Sequence, residues 1–385
     1  SHYSRVTVNS GGRYRTSHTG GLYSGSSTVP SSINGYMTTF NRVNYQLDAN
    51  SIVEYYGTAT SIITGIPNGI ASTTAQKYGI LQINFTGSAG TTWVYPETDN
   101  EVFVRTQLIL TNGEFNLDSD HATATGGRSI TIESGATVSR TSGFIRSETE
   151  DGSGLVKWAI SSNGSYTVPF GYDASTYIPF TYQQTSGTTG TLAAGTYRSA
   201  ADNTPYPPTV THVRDASGSD NSANTVDRFW YVTVSGSPTA SITYTYASSE
   251  GTGILAPRAQ RWEPVSLGWF PATAAQSNPT ATTTLAPSLT NFNTWWTLAA
   301  GASPLPIELV YFNAEKAGDA ARISWETAAE INNDYFTIER SGDGNTFEAI
   351  EYVQGAGNSN SPLSYSRLDK TPLEGRNYYR LKQTD

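Results

Sequence analysis

Apolar and polar residues alternate along most of this chain in short runs, and each run breaks at glycine, asparagine or proline. Val6-Thr7-Val8-Asn9-Ser10-Gly11, Ser51-Ile52-Val53-Glu54-Tyr55-Tyr56-Gly57 and Leu81-Gln82-Ile83-Asn84-Phe85-Thr86-Gly87 are early examples. Leu108-Ile109-Leu110-Thr111-Asn112-Gly113 and Ile130-Thr131-Ile132-Glu133-Ser134-Gly135 follow the same form. A period of two places alternate side chains on opposite faces of a strand. No stretch has the Leu, Glu, Lys and Ala at helical spacing that a long amphipathic helix needs. The pattern predicts an all-β protein.

From Gly57 onward the closing glycines of these runs lie 30, 26 and 22 residues apart. That spacing fits one coil of a β-solenoid, whose rungs bury their inner faces only by stacking on neighbours. Leu108 with Leu110, and Ile130 with Ile132, would then form inner ladders. The same residues also fit an antiparallel sandwich whose hairpins end in Asn-Gly or Ser-Gly. We expect the solenoid over residues 1–162, of the right-handed β-helix kind found in bacterial adhesins and polysaccharide lyases, which this region resembles.

Residues 163–303 lack the repeat but hold aromatic runs, among them Tyr166-Thr167-Val168-Pro169-Phe170, Phe229-Trp230-Tyr231-Val232 and Ile242-Thr243-Tyr244-Thr245-Tyr246. They predict an antiparallel β-sandwich of short strands. A third domain is expected over 304–385, after the proline-flanked Ser303–Pro306, because 21 charged side chains crowd into those last 82 residues while the earlier part is nearly neutral. Here Ile323 with Trp325, Phe336 with Ile338, and Tyr379 with Leu381 are expected to face a core.

The wording of this last segment, through LPIEL, RISWETAAEINNDYFTIERS, VQGAGNS and NYYRLKQTD, closely resembles a fibronectin type III-like domain found near the C-terminus of surface and secreted proteins of Bacteroidetes. The resemblance covers about a fifth of the chain. It implies a seven-stranded sandwich whose last strand is missing, export by a type IX secretion system, and a location outside the cell or on its outer surface. The order of SYTVPFGYDASTYIPFTY, RFWYVTV and SITYTY resembles, more loosely, a module of the same proteins. The chain starts at Ser1 and carries no signal peptide, so it is expected to be a processed or partial form continuing beyond Asp385. If it does not continue, a neighbouring chain is expected to donate the strand.

Composition narrows function by exclusion. Cysteine is absent, which removes thiolate metal sites and cysteine nucleophiles. A net charge of -9 argues against a general nucleic-acid binder. No apolar run is long enough to make a transmembrane helix. His2, His18, His121 and His212 sit in no metal-binding or hydrolase motif.

Asp118 with Asp120, and Glu148 with Glu150 and Asp151, are the acid clusters a glycosidase or lyase would use as acid and base, about 5–9.5 Å apart. Arg128 and Lys157 are the nearest cations for a uronate. The same clusters fit solvated turns, in which aspartate bonds its own backbone. Calcium is conceivable through Asp118 and Asp120, or through Asp220, Asn221, Asn224 and Asp227, but no calcium-loop spacing is present and no cofactor is expected. Asp343-Gly344-Asn345 fits a hairpin turn. Trp262, Trp269, Trp295 and Trp296 are candidate sugar-stacking residues, since exposed tryptophan faces stack on sugar rings and, in an adjacent extended pair such as Trp295-Trp296, one ring must face away from the other.

Taken together, these features lead us to expect a non-catalytic extracellular adhesin or fibre component. Its expected partners are the type IX machinery, surface glycans, and other copies joined through solenoid ends or strand donation. A secreted polysaccharide lyase or glycoside hydrolase, and cargo captured on the export machinery, are the alternatives.

Overall fold

The computed structural model describes residues 5–17, 44–63, 66–67, 75–87, 93–96, 102–118, 127–214, 218–265, 267–272, 276–300, 309–327, 330–359 and 362–384. It is all-β, with two single-turn 3-10 segments among the described residues. No helix of the described residues is long and apolar enough to cross a membrane.

Six strands of the N-terminal part pair in parallel, in chain order. They are Arg13–Thr16, Ile52–Gly57, Tyr78–Phe85, Val102–Asn112, Ser129–Ile132 and Leu155–Ala159. In this register Val53, Leu81 and Leu108 stand side by side, as do Tyr55, Ile83 and Leu110, and all six are fully buried. Val102 and Val104, further back on the strand that holds Leu108 and Leu110, stand beside Ile130 and Ile132, which in turn stand beside Val156 and Trp158, and all six are buried. A second parallel sheet takes the short strands Ser61–Ile63, Val94–Pro96, Glu114–Asn116 and Phe144–Arg146. The chain thus visits the first sheet, then the second, once per repeat.

Glycine is required where neighbouring passes come closest. Gly79 opens the 78–85 strand against the preceding pass, and a Cβ there would lie 2.2 Å from the Asp48 carbonyl oxygen and 2.6 Å from that of Ala49. Gly79→Ala is therefore expected to lose at least the about 1–3 kcal/mol typical of an overpacked site. Gly135→Ala, where nothing lies within 4 Å, carries only the cost of its positive φ. Thermal unfolding of the two variants measures the difference.

The first sheet does not end with the parallel strands. Its last member, Leu155–Ala159, pairs antiparallel with Thr191–Arg198, and the ladder continues through Arg228–Val234, Thr294–Ala299, Arg258–Glu263 and Gly268–Pro271. A separate antiparallel sheet runs in the order Gly164–Val168, Phe180–Gly187, Pro238–Thr245, Thr283–Leu289 and Ser277–Thr280. One apolar cluster extends from Val53 and Leu81 through Trp158 and Phe180 to Trp230, Tyr244 and Trp296. Both sheet and core cross the boundary expected at residue 162 without interruption.

The C-terminal segment forms two three-stranded antiparallel sheets. One orders Leu309–Ala317, Ala320–Thr327 and Leu363–Asp369; the other orders Glu348–Ser359, Glu330–Ser341 and Tyr378–Thr384. Ile323, Trp325, Phe336, Ile338 and Val353 make a core of their own, with Tyr379 and Leu381 packed on it. The Trp325 and Tyr365 rings stack 5.2 Å apart.

Candidate functional site

The most developed polar site lies where the last parallel strand meets the antiparallel part of the sheet. Ser147–Gly154 forms the connection into the 155–159 strand, tied by bonds from the Ser147 hydroxyl to the Gly154 carbonyl (2.6 Å) and from the Gly154 N–H to the Thr149 hydroxyl (2.8 Å). Ser147 Oγ also accepts the Thr196 N–H at 3.0 Å, joining this connection to the neighbouring strand. Glu148 sits in this segment at a φ of 36°, a conformation that non-glycine residues rarely adopt.

Glu148 is held there by Arg228. The Arg228 side chain is fully buried and forks onto Glu250, with Nε 2.9 Å from Oε2 and Nη2 2.7 Å from Oε1. Its Nη1 donates to Glu148 Oε1 at 2.9 Å and to the Thr196 hydroxyl at 3.1 Å. Glu148 Oε2 accepts the Arg198 N–H at 2.8 Å, and Glu250 Oε2 accepts the Ala247 N–H at 3.0 Å. Burial alone would weaken the guanidinium's hold on its proton, but Glu148 and Glu250 outweigh burial and raise its pKa. The result is a clamp of one cation and two carboxylates joining the 147–154 connection, the 191–198 and 228–234 strands and the Ser248–Glu250 turn.

The neighbouring acids divide by role. Burial, then the Asp151 charge, raise the Glu150 carboxyl above its ordinary range. Asp151 accepts the Ser153 N–H at 3.0 Å and the Ser153 hydroxyl, the bonds of a turn. Burial, followed by Glu150 and Glu148, pushes the Tyr197 hydroxyl well above its usual range.

Asp118 is buried with Arg146 Nε 3.6 Å away, and Glu114 lies 4.0 Å from the same nitrogen, so this acid stands beside a cation. Asp120, His2, His18 and His121 fall outside the described residues. Arg128 donates to the Pro96 carbonyl and lies over the Tyr95 ring at 4.5 Å. Lys157 is half-buried on the 155–159 strand.

The proposed calcium residues Asp220, Asn221, Asn224 and Asp227 are engaged with the protein itself. Asp220 accepts the Ser222 hydroxyl at 2.7 Å, Asn221 Oδ1 accepts the Asn224 amide at 2.9 Å, and Asp227 accepts from Asn203 at 3.3 Å. Among the described residues no group of three His, Cys, Asp or Glu side chains is arranged to hold a metal ion. Asp343 accepts the N–H groups of Asn345 and Thr346, both at 2.8 Å, and these bonds draw its carboxyl down to about 2, as a hairpin turn requires.

The four candidate sugar-stacking tryptophans are placed inside. Trp262, Trp269 and Trp296 are fully buried and Trp295 is 5% exposed, so none offers a ring face to a sugar. Trp296 packs in the main core. Trp262, Trp269 and Trp295 fill a second cluster on the opposite face of the sheet, with Tyr197, Phe229, Val210 and Val213. His212 belongs to the cover of this cluster. Its ring lies edge-on to Trp262 at 5.5 Å, and burial, then Arg214, lower its pKa.

In the C-terminal segment a cavity of about 620 Å³ opens beside Ala314, Lys316, Asp319, Leu373, Glu374 and Tyr379. Nearby, Arg340 pairs with Asp369 at 2.9 Å and Glu348 at 2.7 Å, and the Tyr379 hydroxyl donates to Asp369 at 2.9 Å.

Arg228 and Glu250 were not among the sequence candidates. The available signal was an arginine opening the aromatic run Arg228-Phe229-Trp230-Tyr231, since a charge in a buried strand needs a partner. No protein-family model, curated protein or solved structure matches the chain.

Proposed function

We propose that this chain is a structural or adhesive protein of the cell surface or extracellular space. In this reading residues 1–162 are a β-solenoid of the right-handed β-helix kind, 163–303 a β-sandwich, and 304–385 a fibronectin type III-like domain. One observation carries it: a single sheet begins as stacked parallel strands and continues, with one shared core, into the antiparallel strands. Parallel ladders of this kind make a stiff unit that resists bending because each pass is hydrogen-bonded to the next. The buried clamp at Arg228 reinforces the place where strand direction changes.

The C-terminal resemblance to Bacteroidetes surface proteins supplies the address and the type IX export route. The acid clusters bear on the rival reading, a polysaccharide-active enzyme. Glu148 is occupied by Arg228 and the Arg198 N–H, and Asp118 lies beside Arg146, which favours structural roles for both. Surface glycans and further copies of the chain are the partners this reading entails.

Deleting the gene in the producing cells tests the proposal. Loss of surface material or attachment, with unchanged polysaccharide breakdown by the medium, is the expected result. Loss of a depolymerising activity that the purified chain restores, and that Glu148→Gln or Glu150→Gln abolishes, would replace it with the enzymatic reading.

A further inference from the structure

The outer face of the first parallel sheet carries a charged network near the start of the chain. Arg13 and Arg15 share one face of their strand; on the next, Glu54 stands beside Arg15, and Glu54 and Tyr56 alternate with the inward Val53 and Tyr55. Glu54 Oε2 accepts Arg13 Nη1 at 2.6 Å and Arg15 Nε at 2.9 Å. Glu54 Oε1 accepts Arg15 Nη2 at 3.2 Å and the Asn84 amide at 2.9 Å. Arg13 Nη1 also donates to Gln82 Oε1 at 2.8 Å, and the Gln82 amide donates to the Thr111 hydroxyl at 2.8 Å. The Arg15 guanidinium lies over the Tyr56 ring at 4.2 Å. One network thus crosses four adjacent strands, a width of about 14 Å at the usual strand spacing.

The charge of this network does not balance. Two guanidiniums meet one carboxylate, which leaves a positive surplus on a chain whose net charge is -9. The surplus faces solvent, because the Glu54 side chain is 3% exposed while those of Arg13 and Arg15 are 45% and 51% exposed. Arg13 commits only Nη1, and Arg15 only Nε and Nη2. Arg13 Nε and Nη2, Arg15 Nη1 and the Asn84 side-chain oxygen therefore have no hydrogen-bond partner among the described residues. A simple ion pair would bring one cation to Glu54; here a second is held beside the first, half in water. Two like charges kept together repel, and an anion set across them is drawn by both. The flanking sequence has the same sign: residues 1–50 hold Arg5, Arg13, Arg15 and Arg42 against the single acid Asp48.

We propose that this face binds acidic glycans, with Arg13 and Arg15 clamping the carboxylate of a sugar ring. The planar fork of arginine matches a carboxylate, and the free N–H groups are the donors it would meet. Asn84 Oδ1 accepts from a hydroxyl of the same or the next ring. Glu54 and Tyr56 are positioning residues: Glu54 fixes both guanidiniums from below, and Tyr56 supports the plane of Arg15. Recognition here runs through charge, whereas the buried Trp262, Trp269, Trp295 and Trp296 offer no ring face for stacking. The inference rests on the reading of surface glycans as partners and gives that reading a place and a chemistry.

The test is calorimetric titration of the full chain with hyaluronate oligosaccharides and with their methyl esters, which keep every ring and lose the charge. Binding of the acid form is expected, weakening as salt rises, with the ester bound about tenfold more weakly or worse. The triple variant R13Q/R15Q/E54Q leaves no carboxylate buried without its cation, so it should melt close to the unmodified chain. It should nevertheless lose about tenfold or more in affinity for the acid form. Arg13→Lys, which keeps the charge but not the fork, should fall between the two. Equal affinity for acid and ester, or a folded triple variant that binds as before, overturns the site and leaves the glycan reading standing. Equal affinity for single-stranded DNA would show a general anion patch and overturns it as well. A chain that binds neither the acid, the ester nor a neutral dextran counts against both the site and the glycan reading.

Discussion

Replacing Arg228 by methionine is expected to destabilise the protein by about 3–5 kcal/mol, because two carboxylates then remain buried without their cation. Glu250 is 2% exposed and Glu148 9% exposed, so neither is rescued by water. What remains is the Ala247 N–H for Glu250 and the Arg198 N–H for Glu148. The loss should come mostly from these orphaned charges rather than from a missing attraction. The triple variant R228M/E148Q/E250Q, with no buried charge left in the clamp, should therefore recover most of the stability. Denaturant unfolding of the single and triple variants decides the matter. A triple variant as unstable as R228M would show that the geometry of the clamp, and not its charge balance, holds the junction.

Trp296→Ala is expected to cost about 3–5 kcal/mol, the range for deleting a large aromatic from a packed core. Its ring lies 5.8 Å from that of Tyr244, which in turn meets Trp230 at 5.3 Å and Phe180 at 5.8 Å. Its Nε1 donates to the Phe292 carbonyl at 3.1 Å. The substitution therefore opens a cavity in the centre of the antiparallel part and removes one of two hydrogen bonds to the Phe292 carbonyl, which keeps the Thr294 N–H at 2.7 Å. A sugar-stacking residue would behave differently, with glycan affinity lost and the unfolding midpoint unmoved. Calorimetric unfolding and a glycan-binding assay on the same variant distinguish the two roles.

The contrast between these two sites shows what the sequence could convey. That Leu108, Leu110, Ile130 and Ile132 face inward was readable because alternation along a strand is a local property. Which strands pair in parallel is not local, and it emerges only from the register that places Val53 beside Leu81 and Leu81 beside Leu108.

The tryptophan pairs misled for a definite reason. Trp295 and Trp296 do point to opposite faces, as extended neighbours must, but the second face is covered by the segment carrying Tyr206, Val210 and Val213. Alternation cannot report that cover. The sequence boundary at residue 162 marks a change in composition, whereas hydrogen bonding runs through it from Leu155–Ala159 to Thr191–Arg198. Arg228 escaped notice because its partners lie 80 residues upstream and 22 downstream. In the C-terminal segment, by contrast, Ile323, Trp325, Phe336 and Ile338 face one core as their alternation predicts.

The central claim is that this is a protein of the cell exterior whose sheet serves as a rigid support. The most direct measurement is labelling of intact producing cells and their medium with a membrane-impermeant amine reagent, followed by capture and identification of this chain. Labelled protein on unbroken cells or in the medium is the result expected. Protein that becomes labelled only after lysis, with none outside, would contradict the claim.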